Sequence, residues 1–319
     1  MLRKRTIDAH DRLLIITLKL NELLEACPVC GSAALADKLH VQDKSVSQET
    51  FTIQQCQACG FQFTNPRPAA AHIGKYYESD AYVSHNSGAQ GLVNQVYKAA
   101  RFFTVRRKVN LINRLNGRVT GRLLDYGCGT GHFLAGAKKA GWQVTGLEPN
   151  ARARQDAAAR VGQPILEPGA LATLAPGSFD AVTLWHVLEH VHTLGDTLEQ
   201  LIRVLRPGGK LLIAVPNVDS LDAQHYGPDW AAYDVPRHLY HFGPAPMRRL
   251  LARHNLALCE TLPMPLDAYY VSLLSERHRP AEQAGGLLRV LRAGYASNQH
   301  AQQHGGQYSS VLYVAERGA

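Results

Sequence analysis

The middle of the chain alternates short apolar runs with segments of helical spacing. Between residues 121 and 217, runs of Leu, Val and Ile that are typical of buried strands are separated by stretches with helical periodicity. This alternation predicts an α/β fold with a doubly wound, mostly parallel sheet. The predicted strands are Arg122–Tyr126, Gln143–Glu148, Pro164–Leu166, Phe179–Trp185 and Lys210–Val215, and the predicted helices are Gly131–Ala140, Ala151–Val161 and Leu194–Leu205.

The pattern changes on both sides of this region. A long helix is predicted before it at Asn94–Leu115, whereas an aromatic and histidine-rich stretch follows it and extends to Phe242. Beyond that stretch, the pattern predicts a helix at Ala245–His254 and a terminal strand at Ser309–Glu316. We therefore expect a helical leader (1–26), a small module (27–68), a helical lead-in and lid (69–117) and a main domain (118–319) with an insert at about 219–244.

Composition and charge narrow the class of protein. A chain of 319 residues with 45% apolar and 19% charged residues can bury one large core and a small satellite. The net charge of +8 is spread thinly, and its richest cluster, Arg106–Lys108, lies on a predicted helix, which favours a solvated face over a binding patch. The apolar run Leu13–Leu20 is shorter than the roughly 20 residues that span a bilayer. We expect no membrane span and a cytoplasmic protein.

Four of the six cysteines form two matched turns, CPVCG and CQACG. In a reducing compartment such pairs favour metal ligation over disulfides, and together they supply the four thiolates of a tetrahedral zinc site. Iron in the same sulfur cage and a metal-free thiol cluster are the alternatives. A site with four protein ligands has no open position, so a structural zinc is expected at Cys27, Cys30, Cys56 and Cys59.

The segment LLDYGCGTGHF, residues 123–133, runs from a predicted strand through three glycines into a helix. Glycine allows a tight turn and a close approach of the backbone to a ligand, and the helix N-terminus offers unpaired N–H groups. Glu148 follows at the end of the next strand, where a carboxylate can accept both ribose hydroxyls. These features alone also suit a nicotinamide or flavin enzyme.

The glycine spacing separates the alternatives. The dinucleotide fingerprint is GxGxxG, whereas this loop is GxGxG preceded by Asp125. The tighter form resembles the first motif of class I S-adenosylmethionine methyltransferases of the small-molecule type. Three later segments resemble that family in order and spacing, namely GLEPN (146–150), FDAVTLWHVLEHV (179–191) and LRPGGKLLIAVPN (205–217).

This resemblance implies a cofactor, a sheet and a set of site residues. It implies a Rossmann-like sheet of seven strands that binds S-adenosylmethionine. Asp125 and the glycine loop would hold the methionine part and Glu148 the ribose. Relatives often carry an acidic residue for the adenine after the third strand, but that stretch here is Pro168–Leu171, so we expect the backbone near Ala170 to contact the adenine instead. His186, at the end of the fourth strand, is expected to face the cofactor. The predicted cofactor-binding residues are thus Asp125, Gly127, Gly129, Gly131, Glu148, Ala170 and His186.

Candidate catalytic residues follow the fourth and fifth strands. A general base assists when the acceptor is a hydroxyl or an activated carbon, and histidine suits that role near neutral pH. The fourth strand leads to His186 and His190. The segment DVPRHLYHF resembles a stretch of small-molecule members of the superfamily and offers His238 as base or orienting group, with Arg237 for an anionic acceptor. Histidines in an aromatic turn also satisfy backbone groups, and that interpretation stays open.

Three functions remain open from sequence. The leading one is methylation of a small molecule, such as a sugar, quinone-like or lipid-linked metabolite, at oxygen or carbon, with the insert closing over the acceptor. The second is RNA base methylation, because a similar cysteine module occurs in a ribosomal-RNA methyltransferase family as well as in deoxysugar C-methyltransferases. No basic stripe interleaved with aromatics supports it. The third is a non-catalytic, cofactor-binding interaction protein. The acceptor and the oligomeric state stay open.

Overall fold

A computed structural model of the chain describes residues 20–77, 92–280, 282 and 285–318. Most of the predicted leader and residues 78–91 of the lead-in lie outside the described residues. Within them, no helix is both long and apolar enough to cross a membrane.

The described part of the main domain is built on a six-stranded sheet. Its strands are β6 (Arg122–Tyr126), β7 (Gln143–Leu147), β8 (Phe179–Trp185), β9 (Leu205–Pro216), β11 (Leu256–Pro263) and β12 (Ser310–Arg317). Their spatial order is β11, β12, β9, β8, β6, β7, in which β6 to β9 run parallel and β12 runs antiparallel to both of its neighbours. The predicted third strand, Pro164–Leu166, contributes only one parallel bridge, between Leu147 and Leu166.

Helices cover both faces of this sheet. Consecutive residues of β6 are buried on opposite faces of the sheet, because Leu123 packs into one core cluster and Leu124 into another. Burial on both faces explains why the strands have continuous apolar sequences. Asn150 caps one helix by accepting from the amide of Ala153, and Gly162 ends it with a φ of 69°. The helices are α1 (Leu92–Leu115), α2 (His132–Lys139), α3 (Ala151–Val161), α4 (Leu194–Val204), α5 (Leu221–Tyr226), α6 (Pro244–Arg253), α7 (Pro265–His278) and α8 (Leu287–Gln303).

The cysteine module and the insert share a second sheet. Strand β10 of the insert pairs antiparallel with β4 of the module, and β3 and β2 continue the sheet. The aromatic rings of Phe61, Tyr240 and Phe242 pack together across this junction. The strands are β2 (Leu35–Gln42), β3 (Thr50–Cys56), β4 (Gln62–Thr64) and β10 (Tyr240–His241), and a two-stranded pair is formed by β1 (Asn21–Glu22) and β5 (Arg67–Pro68).

Candidate active site

The three loop glycines have different structural roles. A Cβ on Gly127 would lie 2.5 Å from a methyl carbon of Val187, and one on Gly131 would lie 2.9 Å from Cβ of Ala157. By contrast, a Cβ on Gly129 would meet no described heavy atom within 4 Å. Packing therefore accounts for the outer two glycines, whereas the middle one borders open space at the start of α2, where a ligand fits.

Glu148 is held at the rim of this space. Its Oε2 accepts from the amide of Gly129 at 2.8 Å, and its Oε1 accepts from the amide of Asn150 at 2.9 Å. Each carboxylate oxygen has a further lone pair, so the side chain can also accept from ribose hydroxyls. The loop and Glu148 come together as predicted, and they fit the ribose and methionine parts of S-adenosylmethionine.

Asp125 lies near the end of the strand that leads into the loop and interacts through its charge with Lys108, a residue expected from the sequence on a solvated face. Thr183 donates to Asp125 Oδ1 at 2.6 Å. Burial raises the pKa of Asp125 to about 7, and burial lowers the pKa of Lys108 to about 8, while the charge of each partly offsets the effect on the other. Lys108 Nζ also lies 4.0 Å from the ring centroid of Trp185. The solvated-face interpretation is therefore wrong for Lys108, which belongs to the site.

Ala170 lies in a 3₁₀ turn, Pro168–Thr173, that follows the single bridge at Leu166. Its amide donates to the carbonyl of Glu167 at 3.0 Å, and its carbonyl accepts from Thr173 Oγ1 at 2.8 Å. Both backbone groups of Ala170 are therefore engaged within the turn itself.

A cavity of about 480 Å³ lies at the carboxyl edge of the sheet. Its walls come from the ends of β8 and β9, from the insert, from helix α7 and from the edge of the cysteine module. The polar side chains that line it include His186, Glu189, Asp234, His238 and Asp267. Two of the three predicted catalytic histidines, His186 and His238, thus face one cavity.

His186 occupies a left-handed conformation, with a φ of 57°, at the point where β8 ends. Its Nε2 lies 3.0 Å from Asp267 Oδ2, and its Nδ1 lies 3.5 Å from Glu189 Oε1. Burial opposes protonation, but the two carboxylates outweigh it and raise the pKa of His186 to about 9. His186 is therefore charged near neutral pH, which suits an orienting role better than that of a general base. Asp267 lies on α7, outside every motif recognised in the sequence.

His190 and His238 lie edge to face, with ring centroids 4.6 Å apart. His190 Nδ1 lies 2.9 Å from the carbonyl of Arg237, and His238 Nδ1 lies 2.8 Å from the carbonyl of Ala232. Burial is the main cause that lowers the pKa of His190 to about 4. The backbone-satisfying interpretation thus describes Nδ1 of each ring. Tyr77 Oη also lies 3.1 Å from His190 Nδ1, and His238 Nε2 lies 3.9 Å from Asp234 Oδ2.

Arg237 does not reach the cavity as an acceptor ligand. Its side chain is 1% exposed and donates to Asp43 Oδ1 at 2.9 Å, to Asp234 Oδ1 at 2.7 Å and to the carbonyl of Tyr76. The guanidinium thereby ties the cysteine module to the insert. The expectation that Arg237 binds an anionic acceptor is corrected, because these buried partners already engage the side chain.

The four module cysteines converge as their spacing predicts. Cys27 Sγ lies 3.6 Å from Cys59 Sγ, and Cys30 Sγ lies 3.5 Å from Cys56 Sγ. A tetrahedron with zinc–sulfur distances of about 2.3 Å has edges of about 3.8 Å, which these separations approach. Without a metal, burial raises the pKa of Cys27 and raises that of Cys59 to about 11, whereas at Cys56 hydrogen bonds, chiefly from backbone N–H groups, outweigh burial and lower the pKa to about 7. The sulfur set therefore fits a tetrahedral metal ion.

Comparison with known proteins decides the family. Residues 97–261, just over half of the chain, match the family model described as a methyltransferase domain. The chain belongs to this methyltransferase family. The matched region contains the glycine loop, Glu148 and both later motifs, so the family predicted from their order and spacing is confirmed.

The curated relatives are matched over part of their length. The chain is 33% identical over 137 residues to a malonyl-[acyl-carrier protein] O-methyltransferase of Enterobacter lignolyticus, which covers 41% of this chain and 53% of that protein. It is 32% identical over 103 residues to a ubiquinone biosynthesis O-methyltransferase of a Caulobacter species, and this match covers 30% of this chain and 41% of that protein. The chain thus spans about half the length of these relatives.

A solved structure of a geranyl diphosphate methyltransferase in complex with S-adenosylmethionine is also similar to this methyltransferase. The two have a TM-score of 0.48 and 18% sequence identity, over 75% of this chain and 95% of that one.

Proposed function

We propose that this protein transfers a methyl group from S-adenosylmethionine to oxygen or carbon of a small-molecule acceptor. The observation that carries the proposal is the cavity of about 480 Å³ at the carboxyl edge of the sheet. Its volume lies in the range of pockets that enclose small ligands, and parallel α/β sheets bind their ligands at this edge. The O-methyltransferases among the relatives support the same reaction class.

The residues beside the glycine loop would hold the cofactor, which supplies an electrophilic methyl group when bound. Glu148 would accept from the ribose, and the open space over Gly129 leaves room for the methionine part. Lys108 and Asp125 offer one charge of each sign near that space, which matches the carboxylate and ammonium of an amino acid. None of these roles uses the backbone of Ala170, whose N–H and carbonyl are engaged within its own turn.

The cavity residues would orient the acceptor and remove its proton. Much of the catalysis of a displacement reaction comes from alignment, and a base adds to it only when the acceptor must lose a proton. We assign loss of the acceptor's proton to the cavity wall where Glu189 and His238 meet. His186, fixed by Asp267, is assigned to orient the acceptor beside the end of β8.

We propose in addition that the four cysteines bind a structural zinc ion. The buried side chains of the module belong to core clusters that it shares with the main domain and the insert, and it shares its sheet with the insert. A metal that fixes the two cysteine turns would therefore also hold the strand that pairs with β10. The joint position of module and insert around the cavity favours this structural role over RNA binding.

Calorimetry with S-adenosylmethionine tests the cofactor half of the proposal. Wild type should bind, and Glu148→Ala should weaken binding about a hundredfold, because two charge-assisted hydrogen bonds contribute about 1.5 kcal/mol each. Glu167→Ala is the matched control, because that carboxylate is exposed and pairs with Arg154. No binding by wild type, or equal binding by Glu148→Ala, would contradict it.

Comparison of metabolites from cells with and without the protein tests the acceptor half. A methylated metabolite that disappears with the protein is expected. Salt-sensitive RNA binding with methyl transfer to purified RNA would support RNA methylation instead. Cofactor binding without turnover in any extract would support the non-catalytic alternative.

A further inference from the structure

Glu189 is a buried carboxylate without a hydrogen-bond partner. Its side chain is 0% exposed, and neither Oε1 nor Oε2 has a hydrogen-bond partner among the described residues. His186 Nδ1 forms an ion pair with Oε1 at 3.5 Å but lacks the geometry of a hydrogen bond. Buried carboxylates are normally hydrogen-bonded, so two oxygens without a donor point to a further group that the protein binds there.

The rings of His190 and His238 lie beside this carboxylate. Tyr77 Oη lies 3.1 Å from His190 Nδ1, and His238 Nε2 lies 3.9 Å from Asp234 Oδ2. In both rings Nδ1 also lies within 3 Å of a backbone carbonyl, which favours the tautomer with the N–H on Nδ1 and the lone pair on Nε2. This is the arrangement that fixes metal-binding histidines in proteins, with one nitrogen held by a carbonyl and the other free to coordinate.

One ligand atom from each of Glu189, His190 and His238 lies within 4.8 Å of the other two. We propose that these three residues bind a divalent transition-metal ion, with two histidines and one carboxylate as protein ligands. Glu189 and His238 line the cavity, so the remaining coordination positions would open toward it. Glu189 and His190 follow β8, whereas His238 belongs to the insert. From the sequence, these two segments were expected to offer a base independently of each other.

The ligand types narrow the metal. Two imidazole nitrogens favour zinc or another late first-row ion over magnesium or calcium, which prefer oxygen ligands. Zinc suits methyl transfer, because the reaction needs no change of oxidation state. Three protein ligands leave the site open, unlike the four-cysteine site.

The role of this ion in catalysis rests on the proposed function, but its binding does not. An acceptor hydroxyl bound to the metal would have a lowered pKa and would release its proton to solvent. The new oxygen–carbon bond then forms as the carbon–sulfur bond of the methyl donor breaks. Glu189 and His238 would thus promote loss of the proton by holding the metal.

Metal content of the full-length protein tests the site directly. After dialysis against Zn²⁺ and removal of excess ion, wild type should retain about one equivalent more than the four cysteines hold. Glu189→Gln keeps the shape of the side chain and should lose that extra equivalent while the cysteine-bound ion stays. His192→Gln is the matched control, because that histidine is close in sequence but its Nε2 is engaged by the carbonyl of Pro68.

A second variant and a second readout guard against a folding defect. If Glu189→Gln does not fold by circular dichroism, His238→Gln should show the same loss of one equivalent. Retention of only the cysteine-bound ion by wild type, or an unchanged content in a folded variant, overturns the site. Calorimetry with S-adenosylmethionine on the same samples separates the two proposals, because cofactor binding without the extra ion refutes this site alone.

Discussion

Glu148 and Gly129 are joined by a hydrogen bond of 2.8 Å between a carboxylate oxygen and a backbone amide. The end of β7 thereby fixes the middle of the glycine loop at the position where the loop borders open space. A loop fixed before the ligand arrives loses less conformational entropy on binding. The geometry of this pair underlies the first prediction.

Gly129→Ala should weaken binding of S-adenosylmethionine by at least about tenfold, because the added methyl group would occupy the space left for the ligand. The φ of Gly129 is 53°, so the variant should also lose about 1 kcal/mol of folding free energy. Calorimetry and denaturant unfolding measure the two effects.

Gly162→Ala is the control for that variant. Its φ is 69° and its Cβ would also meet nothing within 4 Å among the described residues, but it lies at the end of α3. It should lose similar stability and keep its cofactor affinity. An equal loss of affinity in both variants would show that backbone strain, and not the ligand space, is responsible.

Removal of metal from the cysteine site should destabilise the protein. Because the sulfur set fits a structural zinc, a strong chelator or Cys56→Ser should lower the melting temperature by about 10 °C, a change of roughly 3–5 kcal/mol. Cys259→Ser should leave the melting temperature unchanged, because that cysteine is exposed and lies outside the cluster. Scanning calorimetry with and without chelator checks this, and equal melting temperatures would contradict a structural metal.

Arg237→Met should lower the free energy of unfolding by about 3 kcal/mol, because it leaves the buried carboxylate of Asp43 without its cation. Burial opposes ionisation of Asp43, but the hydrogen bonds from Arg237 and Ser47 and the charge of the guanidinium together outweigh it and lower the pKa of that carboxyl below its ordinary value. Arg249→Met, at an exposed position, should change stability little. If Arg237 and Asp43 are coupled, the double variant with Arg237→Met and Asp43→Asn should recover part of the lost free energy of unfolding, as measured by urea unfolding. Additive losses of the two single variants would refute the coupling.

Acid stability should depend on His241. Burial, with the charge of His238 second, lowers the pKa of His241 to about 3 from 6.5. As the pH falls, His241 therefore takes up a proton in the unfolded chain before it does so in the folded protein. The contribution of neutral His241 to the free energy of unfolding is present above pH 6.5 and is lost as the pH falls toward 3. The ring of Tyr233 and the hydroxyl of Thr64 are its other neighbours.

Over this interval the free energy of unfolding of wild type should fall more steeply than that of His241→Gln, by up to about 1.4 kcal/mol per pH unit. Urea unfolding at several pH values measures both slopes. Parallel slopes would show that His241 is not the group that titrates.

Local patterns sufficed for part of this architecture. The β6–α2 loop, Glu148 and the cysteine turns are encoded by residues close in sequence, so their spacing and the family resemblance could single them out. Lys108 was misassigned because a cation on a helix surface carries no signal of the buried Asp125 that faces it. Asp267 was missed for the same reason, since only the packing of α7 brings it to within 3.0 Å of His186.

The histidine assignments show the same limit. Sequence reasoning weighed His190 and His238 as separate bases, because 47 residues separate His190 from Arg237, whose carbonyl orients its ring. The pairing of β10 with β4 brings the insert against the end of β8, and no local pattern encodes that contact.

Transfer of a labelled methyl group tests the central claim most directly. Purified protein is incubated with methyl-labelled S-adenosylmethionine and a cell extract, and the label is followed in small-molecule, RNA and protein fractions. We expect the label in the small-molecule fraction with wild type and its absence with Glu148→Ala. Label in RNA or protein, or in no fraction, would contradict methylation of a small acceptor.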